Sequence, residues 1–489
     1  MRENKEKHRI FWFNIDGLNA DIFYGLLDAN RLPGFGMIFS RARRAEQAVG
    51  VFPTVNLTSR TSLATGAMPG RHLMTGNGWY DRYGKKTVYR DYKTLGSELE
   101  MFGYGKLGMP TLVMPRIRGE ALANSDMSGG TATIFDAIKT RSVRSAVIFN
   151  QVSRGANEWV YPSRLDFIRH IRCRAGAGNY GALDRDAARR AIEYIKDTRY
   201  LHRLIQFNFP GLNELGRFRG MESQEKHLTE TLDPIVSRLL EELSGLCSIG
   251  DCFFVLSASH GQAEVKPGAG YAVTPLVMRE LLGSMGFELY DEHSSFEVRK
   301  ASAVAFSQGG SYNIYIKNRD SRRWHTPPRL KADLVEIASD IERVSRKKFA
   351  GIQPGWIDMI LIKDYDHERY LVLSGRKLYE PDVFFNIYEN RKKYPDAVHR
   401  VRGLYCKRSA DLILLSDCEK GFHFSSNSFR GCYGGLCEPA SVVPLMFSGP
   451  GIKTDYIPGI SSIIDVAPTV SALFDVSMTS AEGKILPIF

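Results

Sequence analysis

Four places in the chain carry residues whose types and positions could do chemistry. Asp16-Gly17 follows the apolar run RIFWFNI, Asn56 opens a helical stretch after VFPTV, Asn213 and Arg217 follow LHRLIQFNF, and Ser259-His260-Gly261 follows CFFVLSA. A carboxylate and an imidazole are metal ligands or proton carriers. The i, i+4 spacing of Asn213 and Arg217 puts both on one face of a helical turn, where a guanidinium can hold phosphate oxygens bidentately. Asparagine is among the best N-cap residues and leaves the amides of a helix start able to meet an anion. Each position also has a purely structural reading: Asp16 caps a helix beginning near Asn19, Asn56 is an N-cap and nothing more, His260 is a core or loop histidine, and Arg217 is a salt-bridge partner.

The elements that must position these residues are legible as apolar runs with helical patterns between them. RIFWFNI, RSAVIFN, LHRLIQFNF, CFFVLSA, DLILLS and VVPLMFSG read as buried strands. Their alternation with helices predicts an α/β fold with a mostly parallel central sheet and helices on both faces. In such open sheets ligands bind beyond the carboxyl ends of the strands, which is where all four places lie. One helix is expected from Asp184. A second carries Leu228, Leu232, Ile235, Leu239 and Leu243 on one face, with a kink at Pro234. From about 290 to 407 the strands shorten, aromatics increase and HTPPRLKADLVEIASDIERV introduces another helix, which predicts an insertion or cap subdomain within a single domain of residues 1–489. The sheet is expected to resume at ADLILL and the chain to close with a helix after Asp465 and Pro468.

Lys and Arg number 65 against 54 Asp and Glu, a net charge of +11 that favours anionic partners without choosing among them. No nucleic-acid-binding signature accompanies the charge, so a dedicated nucleic-acid groove is set aside. The apolar run near the start is too short for a membrane span or a signal-peptide core, and seven cysteines, an odd number, suit reduced thiols. Both point to a cytoplasmic protein. Cys406, Cys418, Cys432 and Cys437, with His423 between, could close a zinc site, but their spacings fit no CxxC knuckle, and buried thiols are the simpler reading.

Six blocks in order, FNIDGLNAD, FPTVNLTSRTSLATGAMPGRHLMTGNGWYD, FPGLNELGRFRG, LSASHGQAEV, CYGGLCEPASVVPLMFSGPGI and IIDVAPTV, resemble the type I phosphodiesterase and nucleotide pyrophosphatase family of the alkaline phosphatase superfamily. The resemblance implies an alkaline-phosphatase-like sandwich and a two-zinc site for hydrolysis of phosphoric esters. Asp16 matches the family's first carboxylate. Asn56 falls on its Thr or Ser nucleophile, Asn213 and Arg217 on an Asp-x-x-x-His pair, Ser259 and His260 on Asp-His, and Tyr433 on a late His, while Asn77 matches an amide that contacts a phosphoryl oxygen. An amide cannot be the usual attacking group, and an amide, a guanidinium and a phenol cannot hold zinc.

The expectation is therefore a pseudoenzyme, or a strongly impaired hydrolase, that binds a phosphate-bearing ligand such as a nucleotide through Asn56, Asn77 and Arg217. No cofactor is expected beyond one weakly bound divalent metal (Zn, Mn or Mg) on Asp16 and His260. Thr54 and Thr58, which flank Asn56, are the other candidate attacking hydroxyls. Two alternatives stay open: an active metal-dependent phosphodiesterase with a rebuilt site, one metal on Asp16 and His260 and water as the nucleophile, and a non-catalytic scaffold for a protein partner. Ligand identity and oligomeric state are not encoded in any readable motif.

Overall fold

The computed structural model describes residues 8–84, 89–92, 122–198, 202–291 and 293–489. Following the chain, the strands of the two main sheets begin with β1 (Ile10–Ile15), β2 (Arg43–Val49), β3 (Ser145–Ile148), β4 (Glu158–Val160), β5 (Leu204–Phe209) and β6 (Phe253–Ser257). Seven more follow: β7 (Leu289–Tyr290), β8 (Ala303–Ser307), β9 (Ser311–Ile316), β10 (Ile357–Asp364), β11 (Arg369–Ser374), β12 (Lys377–Tyr379) and β13 (Leu412–Ser416). The last three are β14 (Val442–Val443), β15 (Met446–Ser448) and β16 (Tyr456–Ser462).

The first six and last three form a nine-stranded sheet in the order β14-β2-β15-β6-β1-β5-β3-β4, with β16 paired to β2. The core pairings β1/β5, β1/β6, β3/β5 and β3/β4 are parallel, while β14 and β15 run antiparallel to their neighbours. Every residue of β1, β5 and β6 is buried, as a strand covered by helices on both faces requires. The helix carrying Leu239 and Leu243 buries that stripe as expected. Pro234, which has no N–H to donate, is accommodated by widening the preceding turn, Leu228–Leu232, into a π-helix.

The middle strands form a separate sheet in the order β7-β8-β9-β13-β10-β11-β12, antiparallel except for β7/β8. This corrects the expectation for ADLILL: β13 does not return the chain to the central sheet but sits between β9 and β10. A run that is apolar at every position reports burial on both faces and says nothing about which sheet supplies its partners. The polar residue at its base does. Asp411 accepts the Ile316 amide at 2.7 Å and pairs with the buried Arg82 guanidinium, anchoring β13 beside β9. VVPLMFSG is likewise not one strand, since Pro444 separates β14 from β15.

The two sheets are joined next to the chemistry by the loop 431–437. Gly431–Cys432 pairs with Ala263–Glu264, just after Ser259-His260-Gly261. Gly434 N–H donates to Thr54 Oγ1 at 2.8 Å, and Ser311 Oγ donates to Gly434 O at 2.6 Å. Gly434 has φ +91°, and a Cβ there would lie 1.8 Å from Gln308 O, so no side chain fits. Gly434→Ala is expected to cost at least about 2 kcal/mol, from backbone strain and that clash, measured as a lowered urea midpoint with unchanged slope.

Candidate functional site

Asp16 ends the central strand β1, and the chain turns at Gly17 (φ +75°), where a Cβ would stand 2.9 Å from Asn213 Cα. Three polar residues lie in register below it, Asn14 opposite Asn208 on β5 and Ser257 on β6. Asn14 Nδ2 donates to Asn208 Oδ1 at 2.6 Å, and Ser257 Oγ donates to Asn14 Oδ1 at 3.0 Å. Asn14 and Asn208 also donate to the Asp16 carboxylate, at 3.3 and 3.2 Å. The main partner is Arg60, whose Nε donates to Oδ1 at 3.3 Å and whose Nη2 pairs with Oδ2. Both residues are buried. Burial works to raise the Asp16 pKa, but the Arg60 guanidinium, helped by Ser259 and His260, outweighs it and holds the carboxyl below its ordinary value.

Arg60 comes from helix α1 (Asn56–Thr65), which is buried from Leu57 onward although it carries five hydroxyl residues. The hydroxyls are satisfied locally where bonds form: Thr61 and Thr65 donate to the carbonyls four residues earlier, at 2.8 and 2.7 Å. Ser62 meets His72 Nε2 at 2.8 Å, and His72 Nδ1 accepts the Met74 amide, which puts the ring proton on Nε2. Gly66 closes the helix in the left-handed conformation.

Asn56 is the first residue of α1, not its cap. Val55, extended at φ −118°, holds the cap position, and no side chain caps the helix. The Asn56 side chain instead turns across to the end of β6, with Oδ1 at 3.2 Å from Ser259 Oγ and 2.6 Å from His260 Nε2. His260 Nδ1 stands 2.7 Å from Gly261 O. Burial lowers the His260 pKa to about 4, so at neutral pH the ring has one proton. Given to Gly261 O, that proton leaves Nε2 an acceptor, and the Asn56 amide then meets it with its N–H after a half-turn about the Cβ–Cγ bond. Thr54 is engaged on both sides, donating to Gly435 O at 3.0 Å and accepting from Gly434, and Thr58 is fully buried. Neither hydroxyl is presented for attack.

The third group rests on helix α2 (Gly211–Arg219), directly after β5. Asn213 Oδ1 accepts from Gln262 Nε2 at 2.9 Å and its Nδ2 donates to Glu214 Oε1 at 3.1 Å. Arg217 Nη1 donates to both Glu214 oxygens, at 3.1 and 2.9 Å, and its guanidinium lies 4.3 Å over the Phe429 ring and 5.7 Å from that of Tyr433. Tyr433 also stacks on His260, with ring centroids 4.4 Å apart. Arg217, Tyr433 and Asn77 line a single cleft of about 310 Å³, together with Gln308, Phe429 and Ser426. The Asn77 backbone N–H is held by Gln308 Oε1 at 2.9 Å.

The residues singled out by sequence thus fall into two layers. Asn77, Arg217 and Tyr433 face the cleft. Asp16, Ser259 and His260 are buried, and Asn56, half-buried, bridges the last two; none of these four is among the cleft-lining residues. Among the described residues no three His, Cys, Asp or Glu side chains converge as a metal-binding group. Of the four cysteines considered for zinc, Cys418, Cys432 and Cys437 line one small cavity, while Cys406 lies beside Lys363 and His423 Nε2 faces Lys266 O.

Sequence reasoning passed over Arg60, Glu214 and Gln262, the residues that determine what the others can do. Arg60 left a signal: it is the lone charged residue in a helical stretch of hydroxyl and small residues, framed by FPTV and LATG. Glu214, one position from Asn213, left none.

The chain matches the family model described as type I phosphodiesterase / nucleotide pyrophosphatase over residues 11–429. No curated protein sequence matches it. Its fold resembles murine ectonucleotide pyrophosphatase / phosphodiesterase 5, with a TM-score of 0.61 at 12% identity over 98% of this chain and 100% of that one. An inactive variant of the same murine protein in complex with AMP gives 0.61 at 11%, and the human protein 0.58 at 12%, with the same coverage. At these identities the likeness shows the fold, an alkaline-phosphatase-like one. No helix among the described residues is long and apolar enough to cross a membrane.

Breaking a buried ion pair strands a charge. Asp16→Asn and Arg60→Met are each expected to cost about 3–5 kcal/mol in urea unfolding, and the double variant less than the sum. A second expectation concerns acid. His260 takes up its proton near pH 4 when folded but near 6.5 when unfolded, so the stability from its neutral form is intact above pH 6.5 and is lost as pH falls through that window. His72, lowered by burial to about 3, acts with the same sign. Urea midpoints should fall from pH 7 to pH 4, and His260→Gln should flatten the slope by up to about 3 kcal/mol over the window.

Proposed function

Because the chain belongs to the type I phosphodiesterase / nucleotide pyrophosphatase family, we propose that it is a ligand-binding member whose cleft holds a phosphate-bearing molecule, such as a nucleotide, with little or no hydrolysis. The Asp16–Arg60 pair carries this reading. Asp16 is the one carboxylate remaining at the positions where the family places metal ligands, and a guanidinium engages both its oxygens. The metal pair that the family implies does not suit these residues. Asn213 is bound to Gln262 and Glu214, Arg217 is a permanent cation, and Tyr433 offers a phenol. Positive charge on Arg60 repels a divalent ion from Asp16 as well.

What the cleft offers an anion is Arg217 and Asn77, a guanidinium and an amide that both line it. Glu214 fixes Arg217 through Nη1, and the Phe429 ring supports the guanidinium plane from one face, so it is held in a single orientation before any ligand arrives. Neutral His260 and the Asn56 amide sit behind Tyr433 as polar support, without an attacking oxygen. Free thiols at all seven cysteines accord with a cytoplasmic setting for this function.

Isothermal titration with AMP in the presence of EDTA is expected to give saturable binding, weakened about tenfold or more in Arg217→Met, since a charge-assisted hydrogen bond is worth about 1.5–3 kcal/mol. Bis(p-nitrophenyl) phosphate should remain uncleaved with or without added zinc. Zinc-dependent cleavage that disappears in Asp16→Ala would make the protein an active phosphodiesterase instead.

A further inference from the structure

Two of the cysteines outside the cleft meet beside an unbalanced cation. Cys418 lies in the turn after β13 and Cys437 immediately before the short helix Glu438–Ser441. Cys418 packs on the buried cluster of Ala263, Cys437 and Ala440. Both cysteines line a cavity of about 10 Å³, room for one molecule the size of water. Arg400 stands alongside, 1% exposed. Its Nη1 donates to Pro395 O at 3.1 Å and Leu436 O at 3.3 Å, while Nε and Nη2 are buried without a partner.

A buried guanidinium with two unpartnered nitrogens calls for an anion. The ionisable groups whose charge reaches Arg400 are Asp396 and Cys437. Asp396 is partly exposed and accepts from His399 Nδ1 at 3.2 Å. Cys437 adjoins Leu436, whose carbonyl Arg400 already holds.

We propose that Cys437 is a peroxide-reactive thiolate with Arg400 as its counter-ion and Cys418 as its resolving thiol, so that oxidation closes a Cys418–Cys437 disulfide. The thiolate attacks one oxygen of hydrogen peroxide, the O–O bond breaks, and Cys437 becomes a sulfenic acid as hydroxide leaves. The Cys418 sulfur then attacks the sulfenic sulfur, the S–S bond forms and the S–O bond breaks. The departing hydroxide takes the Cys418 proton and leaves as water. Two thiol sulfurs are oxidised and one peroxide is reduced. The Cys418 thiol, a backbone hydrogen bond at Ala440 and Arg400 together outweigh burial and hold the Cys437 thiol below its ordinary pKa. The bridge would tie the second sheet to the loop that carries Tyr433 over His260 and Arg217, so the thiol state reaches the cleft wall.

The test treats the reduced full-length protein with stoichiometric hydrogen peroxide, blocks remaining thiols with N-ethylmaleimide and maps peptides by mass spectrometry. The Cys418–Cys437 linked peptide is expected as the main product, ahead of any link between Cys247 and Cys252, whose sulfurs are 3.7 Å apart. Cys418→Ser should leave a sulfenic acid on Cys437 that dimedone traps. Arg400→Gln, checked for an intact melting transition, should slow Cys437 oxidation about tenfold and move the midpoint of its pH–rate profile up by about one unit, with Arg400→Lys close to wild type. Oxidation of Cys437 no faster than that of buried Cys173, or a wild-type midpoint at or above the ordinary thiol value of about 8.5, overturns the proposal.

Discussion

The arrangement around the site depends on one buried ion pair. Asp16 sits at the end of the central strand, fully enclosed, and an uncompensated carboxylate there would be prohibitively costly. Arg60 neutralises it from α1, and Asn14 and Asn208 complete the carboxylate's hydrogen bonds from adjacent strands. The pair therefore ties a helix otherwise rich in hydroxyls to the middle of the parallel sheet. It helps α1 to be buried with so little apolar surface: the charge it carries is matched below it, and Thr61, Thr65 and Ser62 bond within the helix or to His72, while the Thr58 and Ser59 hydroxyls are buried without a partner.

The same bookkeeping of charge runs through the neighbouring groups. Glu214 balances Arg217, burial keeps His260 neutral, and Asn56, Asn213 and Ser259 carry no charge. A strongly held metal would need an excess of negative ligands, and general acid–base work at neutral pH would need a group titrating near 7. The balanced pairs supply neither. They supply donors held in fixed orientations by their partners.

How much of this was legible in the sequence follows from what each signal reports. The largely apolar, fully buried strands β1, β5 and β6 were readable, and the rule that ligands sit at their carboxyl ends led to Asp16, Asn213, Arg217, Ser259 and His260. The destination of β13 was not readable, because burial on both faces is common to both sheets and its anchor, the contact of Asp411 with Arg82, spans the chain. For Asn56, residue type suggested a cap, whereas the extended Val55 takes that place and tertiary contacts draw the amide toward His260. Partner choice defeated the remaining positions. That Arg60 would meet Asp16, or Glu214 meet Arg217, depends on a helix phase and an approach distance that spacing alone does not fix.

Those approach distances are set by residues with no side chain. Gly17 lets the turn after Asp16 press against Asn213, and Gly434 lets the 431–437 loop run between Thr54 and Gln308. Because that loop pairs with Ala263–Glu264 and bonds to Ser311, it couples the central sheet to the second one at the point where Tyr433 meets both His260 and Arg217. Tyr433 is consequently the wall between the buried layer and the cleft, and its position follows from the loop's backbone more than from its own contacts. A change in the loop, whether at Gly434 or at the thiols of Cys432 and Cys437, moves that wall. The shape of the cleft is therefore governed from the seam between the sheets as much as from Arg217 itself.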